Sequence, residues 1–250
     1  MQYFISNRMP RLLYTSFLFI KNSKATFFVI IKKKSEKEIK KPMIIRELCV
    51  ENFTEIPQAT AAGVERIELC DNLAVGGTTP SYGVIQQAAE FIGDQKTTLA
   101  VIIRPRGGNF VYNSYELKIM ENDILKAIEA GAQNLVLGAL TEDNQIDVEA
   151  LETLMVASQG LPVTFHMAFD EIEDQHAAID TLVEAGVEKI LMHGDSLDKP
   201  LNTEKIADLV KYAKGRIAII IGGGVTVDNY EEYANLTGTN FVHGTKIIAK

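Results

Sequence analysis

The chain has 250 residues, 46% of them hydrophobic and 23% charged, which is enough apolar material for a full core and excludes a disordered or fibrous chain. Its net charge of −8 is uneven: residues 1–42 carry ten Lys/Arg against two Glu, while residues 43–250 carry fifteen against thirty-one acids, and a body at −16 argues against a nucleic-acid partner. Two cysteines, Cys49 and Cys70, are too few for a disulfide framework and suit a reducing cytoplasm, where thiols stay free or bind metal.

Residues 1–42 differ in character from the rest of the chain. Two apolar bursts, Leu12–Ile20 and Ala25–Ile31, are split by Lys21-Asn22-Ser23-Lys24, and neither reaches the ~18–20 residues needed to span a bilayer. Basic residues precede the first burst, as in a signal peptide, but the KKKSEKEIKK beyond the second offers no small-residue cleavage site. The segment reads as an extension from a mis-assigned start, disordered or loosely helical, with a peripheral membrane tether as the alternative. From Met43 onward, apolar β-branched runs alternate with amphipathic segments. Strands are expected at 43–50, 65–70, 98–104, 134–138, 162–167, 188–193, 216–221 and 240–243. Helical-period residues fill the intervals, as in 115–130, and Ala-Gly pairs at 62–63, 130–131 and 185–186 mark helix stops. Eight strand–helix units in about 208 residues predict one α/β domain over 43–250, a (β/α)8 TIM-type barrel. An open doubly wound sheet would need a Gly-rich turn after its first strand, and Cys49-Val50-Glu51-Asn52 contains no glycine.

Glu-Leu-Cys occurs twice, at 47–49 and 68–70, each time in a predicted strand. Side chains alternate along a strand, so Glu47 and Cys49 share one face, Glu68 and Cys70 share another, and Leu48 and Leu69 point away. In a barrel the chemistry sits at the C-terminal strand ends. Those ends carry Glu47, Cys49, Glu68, Cys70, Arg104, Arg106, His166, Asp170, His193 and His243, too many ionisable groups for ordinary packing. Two functions suit them. Soft thiolates select Cu(I), so Cys49 and Cys70 are the candidate metal ligands, with Met192 and His243 completing the set. Alternatively, Arg104 and Arg106 grip a small carboxylate or phosphate, Glu47 or Glu68 acts as base, and His166 is an acid/base group oriented by Asp170. Gly222-Gly223-Gly224 lies where barrels hold anions on backbone N–H groups, and it reads equally as a tight turn.

The segments ELCVEN, VERIELCDNLAVGGTTPSYGVI, VIIRPRGGNFVYNSYEL, TFHMAFDEI and FVHG resemble, in order, the CutC family, named for copper homeostasis, and the resemblance covers essentially all of 43–250. It implies a TIM-type barrel, a cytoplasmic location, a homo-oligomer (dimer or tetramer) and an association with copper. It implies no assigned reaction. This chain departs from the family pattern at Met167, where Arg is usual, at Met192-His193-Gly194 in place of Thr-Ser-Gly, and at His243-Gly244-Thr245 in place of His-Ser-Ser.

Overall fold

The computed structural model describes the backbone of residues 16–22 and 25–31, and residues 43–249. Contacts divide the chain into Met1–Lys41 and Pro42–Lys250, each taken by itself. In the first unit, Ser16–Asn22 (β1) and Ala25–Ile31 (β2) pair antiparallel, with Ser16 opposite Ile31. These segments are extended where the sequence reading expected disordered or loosely helical chain, in keeping with their β-branched and aromatic content. The rest of that reading lies outside the described residues.

In the second unit eight parallel strands close into a barrel: Ile45–Glu51 (β3), Arg66–Cys70 (β4), Thr98–Ile102 (β5), Asn134–Leu137 (β6), Val163–Phe165 (β7), Lys189–Met192 (β8), Ala218–Ile221 (β9) and Phe241–Gly244 (β10). Each pairs with its neighbour in chain order, and β10 pairs with both β9 and β3. The helices are Ile56–Ala61 (α1), Tyr82–Ile92 (α2), Ser114–Glu129 (α3), Val148–Ala157 (α4), Gln175–Glu184 (α5), Thr203–Ala213 (α6) and Tyr230–Thr237 (α7). One follows each of the first seven barrel strands. Among the described residues no helix follows β10, so the eighth strand–helix unit is a strand alone.

Helix ends follow their local chemistry. Asn113 opens α3 with a capping box, its side chain accepting from the Glu116 amide while Glu116 accepts from the Asn113 amide. Asp147, Asp174 and Asn202 cap α4, α5 and α6 in the same sense. Each Ala-Gly pair closes a helix, with Gly63, Gly131 and Gly186 at positive φ just past the end.

Strand alternation sorts the core into two layers. Leu48, Val50, Ile67, Leu69, Val101 and Leu137 face outward into the large cluster between sheet and helices. The alternate residues face inward, where Cys49, Cys70, Ala100, Ile102 and Val136 form a smaller cluster inside the barrel. The interior also buries Glu47, Arg66, Glu68, Thr164, His166 and His243. Such charges are stable there only if they compensate one another.

Candidate functional site

The two Glu-Leu-Cys copies lie on adjacent strands, staggered by two residues: Glu47 sits opposite Arg66, Cys49 opposite Glu68, and Glu51 opposite Cys70. The stagger makes Cys49 and Cys70 diagonal neighbours. With strands ~4.8 Å apart and two residues rising ~6.6 Å, their Cα atoms stand about 8 Å apart. Their sulfurs nevertheless lean together to 3.8 Å, both buried and free. A Cα separation beyond ~7 Å disfavours a disulfide without backbone movement. The pair is therefore set to stay as thiols.

Four ionisable groups surround these sulfurs. Glu47 Oε2 meets Arg66 Nε at 2.8 Å, and its Oε1 meets His243 Nδ1 at 2.7 Å. Glu68 Oε2 lies 3.5 Å from the same Nδ1, and Cys70 Sγ donates to Glu68 Oε1 at 3.5 Å. Arg66 Nη2 donates to Thr164 Oγ1 at 3.0 Å across the barrel. Burial works to raise the Glu47 pKa, but the Arg66 guanidinium, then His243, outweigh it and hold Glu47 ionised, at about 2. Glu68 has less compensation, and burial pushes it up to about 8, so it stays protonated at neutral pH. Burial would depress His243, yet its hydrogen bonds to Cys49 and Glu47 raise it well above an ordinary imidazole. The hydrogen bond with Cys70 draws Cys49 down to about 6 against burial, with His243 assisting. That same bond, and then burial, push Cys70 well up. The sulfur–sulfur bond thus favours ionisation of Cys49 over Cys70, and His243 favours its own protonated form beside them.

Two donor groups are tight enough to hold one ion. Cys49, Glu68 and Cys70 form the first, and Glu47, Glu68 and His243 the second, with the ligand atoms of each within 4.8 Å of one another. Above them, a cavity of about 90 Å³ is lined by Cys49, Glu68, Cys70, Arg104, His166 and His243, with Met167 also on its wall. The turn containing Gly76-Gly77 covers it. Gly77 has φ +88°, and a Cβ there would stand 3.3 Å from both Cys70 Sγ and Ile102 Cδ1, so glycine lets the loop cross closely over the thiol.

Several expected residues occupy other places. Arg104 contacts no carboxylate: its Nη1 donates to the carbonyls of Val75 and Gly77 and its Nη2 to that of Gly108, and its guanidinium lies 4.7 Å from the Phe110 ring centroid. It clasps two loops together while still lining the cavity. Arg106 leaves the mouth altogether, because β5 ends at Ile102 and the chain then turns through Pro105. Its Nε meets Glu116 Oε1 at 2.5 Å on α3. Asp170 does not orient His166; its two oxygens accept from the amides of His193 and Gly194. His166 accepts at Nδ1 from the Ala168 amide, stacks near Phe110 and Phe165, and leaves Nε2 buried without a partner.

Gly222 and Gly223 of the glycine triplet are packed, while Gly224 stands in open space. Gly223 has φ +81°, and a Cβ there would collide with His193 Nδ1, while a Cβ on Gly222 would stand 2.9 Å from Met167 Cε and 3.0 Å from His243 Cδ2. Gly222 carbonyl lies 3.0 Å from His193 Nδ1, which turns His193 away from the cavity. Met192 is buried in the outer layer and supplies no thioether to the thiols. Arg66, which carries the Glu47 ion pair, was absent from the expected set. It stands two residues before Glu68 on the same strand face, and that spacing was the available signal.

The CutC family model matches residues 44–248. The chain is 56% identical to a family protein CutC of Streptococcus pyogenes over 209 residues, covering 82% of this chain and 100% of that one. It is 41% identical to the human copper homeostasis protein cutC homolog, covering 80% of this chain and 72% of the relative. The crystal structure of a copper homeostasis protein CutC from Streptococcus agalactiae superposes with a TM-score of 0.80 at 53% identity, over 82% of this chain and all of that one. A deoxyribose phosphate aldolase from Aeropyrum pernix superposes at 0.63 with 12% identity, covering 81% and 86%, a likeness of fold alone.

Proposed function

The chain belongs to the CutC family, and from that premise we propose that it holds Cu(I) between Cys49 and Cys70 inside its barrel, in the service of copper homeostasis. The observation that carries this reading is the 3.8 Å separation of two buried, reduced sulfurs. Two metal–sulfur bonds of ~2.3 Å can bridge such a gap with a bent S–metal–S angle, which leaves room for a third donor. Glu68 stands within reach of both thiols. The lowered Cys49 thiol gives up its proton readily as the first ligand, and the neighbouring His243, raised towards its charged form, moderates the negative charge of a bis-thiolate site. Free thiols of this kind suit a reducing compartment such as the cytoplasm. Among the described residues no helix is long and apolar enough to cross a membrane.

The test is a titration of the reduced full chain with Cu(I) against a competing chelator. Cys49→Ser and Cys70→Ser should each weaken retention by roughly a hundredfold or more, the scale of a lost ligand bond. Wild-type affinity in both variants would end the reading.

A second reading, an enzyme or binder acting on a small anion, is favoured by one specific observation. Arg104 and His166 line the same cavity, their Nε and Nε2 atoms are buried without a hydrogen-bond partner, and unmet buried polar atoms are commonly met by a ligand or water. Glu68, protonated, would serve there as a proton donor. Oxalate is small enough to probe this. Binding that survives the double cysteine change and is lost in His166→Asn favours the anion reading, and no binding at millimolar oxalate removes it.

A further inference from the structure

At the end of the barrel opposite the Gly77 loop lies a much larger cavity, about 790 Å³, within the ~300–1,000 Å³ range of small-molecule sites. Its charged lining is mostly cationic: Arg66, Lys189 and Lys96. Arg66 is 4% exposed, and although its Nε and Nη2 are engaged by Glu47 and Thr164, its Nη1 has no hydrogen-bond partner. The Lys189 side chain is 16% exposed and pairs with Glu188, which is itself largely in solvent, while its charge also reaches the buried Glu47. The single carboxylate of the lining, Glu65, is taken up by the amide and the guanidinium of Arg46. Ile45, Val64 and Phe241 supply apolar wall beside these cations.

We propose that this cavity is a second ligand site, separate from the thiols, for a small organic monocarboxylate. Its head would rest on Lys189, in the same lining as the buried Arg66 guanidinium, and its body on Ile45, Val64 and Phe241. A half-buried lysine in a lining whose one carboxylate is already paired calls for one compact anion, and charge-assisted bonds of that kind are the strong ones. The apolar wall favours an anion with a hydrocarbon body over inorganic phosphate. The enclosure matters as well, since a cation in a concave, partly apolar surface is screened less than one on open surface.

The test uses octanoate as probe, with the reduced full chain, followed by saturation-transfer NMR and calorimetry. Octanoate should bind, and octan-1-ol should bind roughly tenfold more weakly for want of the charge. Lys189→Met should weaken octanoate by about tenfold and leave octanol unchanged, with Lys189→Arg restoring most of the loss. Because Arg66→Met would strand Glu47 and threaten the fold, Lys189 carries the test. Cys49→Ser/Cys70→Ser should leave octanoate affinity as in wild type, which separates this site from the mouth. Absence of octanoate binding, equal binding of the alcohol, an unaltered Lys189→Met, or loss in the cysteine variant would each overturn the proposal.

Discussion

His166 shows how one buried residue records its surroundings. Burial, followed by the Arg104 charge, pushes its pKa down to about 3, whereas an unfolded histidine titrates near ~6.5. Between those values the unfolded chain takes up a proton that the native ring refuses, so this group makes the native state less stable as pH falls from about 6.5 towards 3 and has no effect above that window. At pH 5 the loss is roughly 2 kcal/mol. Urea unfolding at pH 7 and pH 5 should show wild type losing about that much more than His166→Asn. Equal losses in the two proteins would mean that the ring protonates freely in the native state. The two arginines of IRPR make a second contrast. Arg104→Met leaves three loop carbonyls without their donor and should cost about 3 kcal/mol or more. Arg106, whose side chain is 37% exposed, donates to Glu116 and to the carbonyls of Gly107, Asn109 and Val111 where water can replace it, and should cost less, about 1–2 kcal/mol, when changed to Met. Chemical denaturation of both variants settles the order, and a reversed order would put the loop clasp at Arg106.

At the scale of elements, much of the site was legible because strand alternation is a local rule. The inward faces of Glu47/Cys49 and Glu68/Cys70 follow from parity along each strand, and the outer-layer burial of Leu48 and Leu69 follows with them. Register was not legible. The two-residue stagger between β3 and β4 belongs to how a barrel closes, with tilted strands and a fixed shear, and no short segment encodes it. That stagger is why Glu47 pairs with Arg66 and why the cysteines meet diagonally. Loop geometry was equally hidden: strand β5 stops before Arg104, which sends Arg106 to α3, and Asp170 caps the loop after β8 instead of serving His166. Gly222 makes the element-scale prediction. Its missing Cβ is what allows the chain just past β9 to run against Met167 and His243. Gly222→Ala should displace the imidazole and lower Cu(I) affinity by roughly tenfold while the barrel still folds. Unchanged affinity in a folded Gly222→Ala protein would show that His243 has no part in the site.

For the whole molecule, the eight-strand closure accounts for stability and for the position of the site together. The outer cluster between sheet and helices is large and mainly apolar, so the barrel interior can carry Glu47, Arg66, Glu68 and His243 at a cost that mutual compensation reduces. Among the described residues that core draws on positions from 44 onward, and a chain beginning at Met43 should unfold in one cooperative transition at the midpoint of the full chain. A lowered midpoint or aggregation would place residues 1–42 within the folding unit. The thiol pair lies within this closed frame, and the proposed copper site stands or falls with it. X-ray absorption of the Cu(I)-loaded, reduced full chain tests it directly: the metal should show two sulfur neighbours at ~2.3 Å, both lost in Cys49→Ser/Cys70→Ser. A copper shell of nitrogen and oxygen alone, or one unchanged by removing the cysteines, would contradict it.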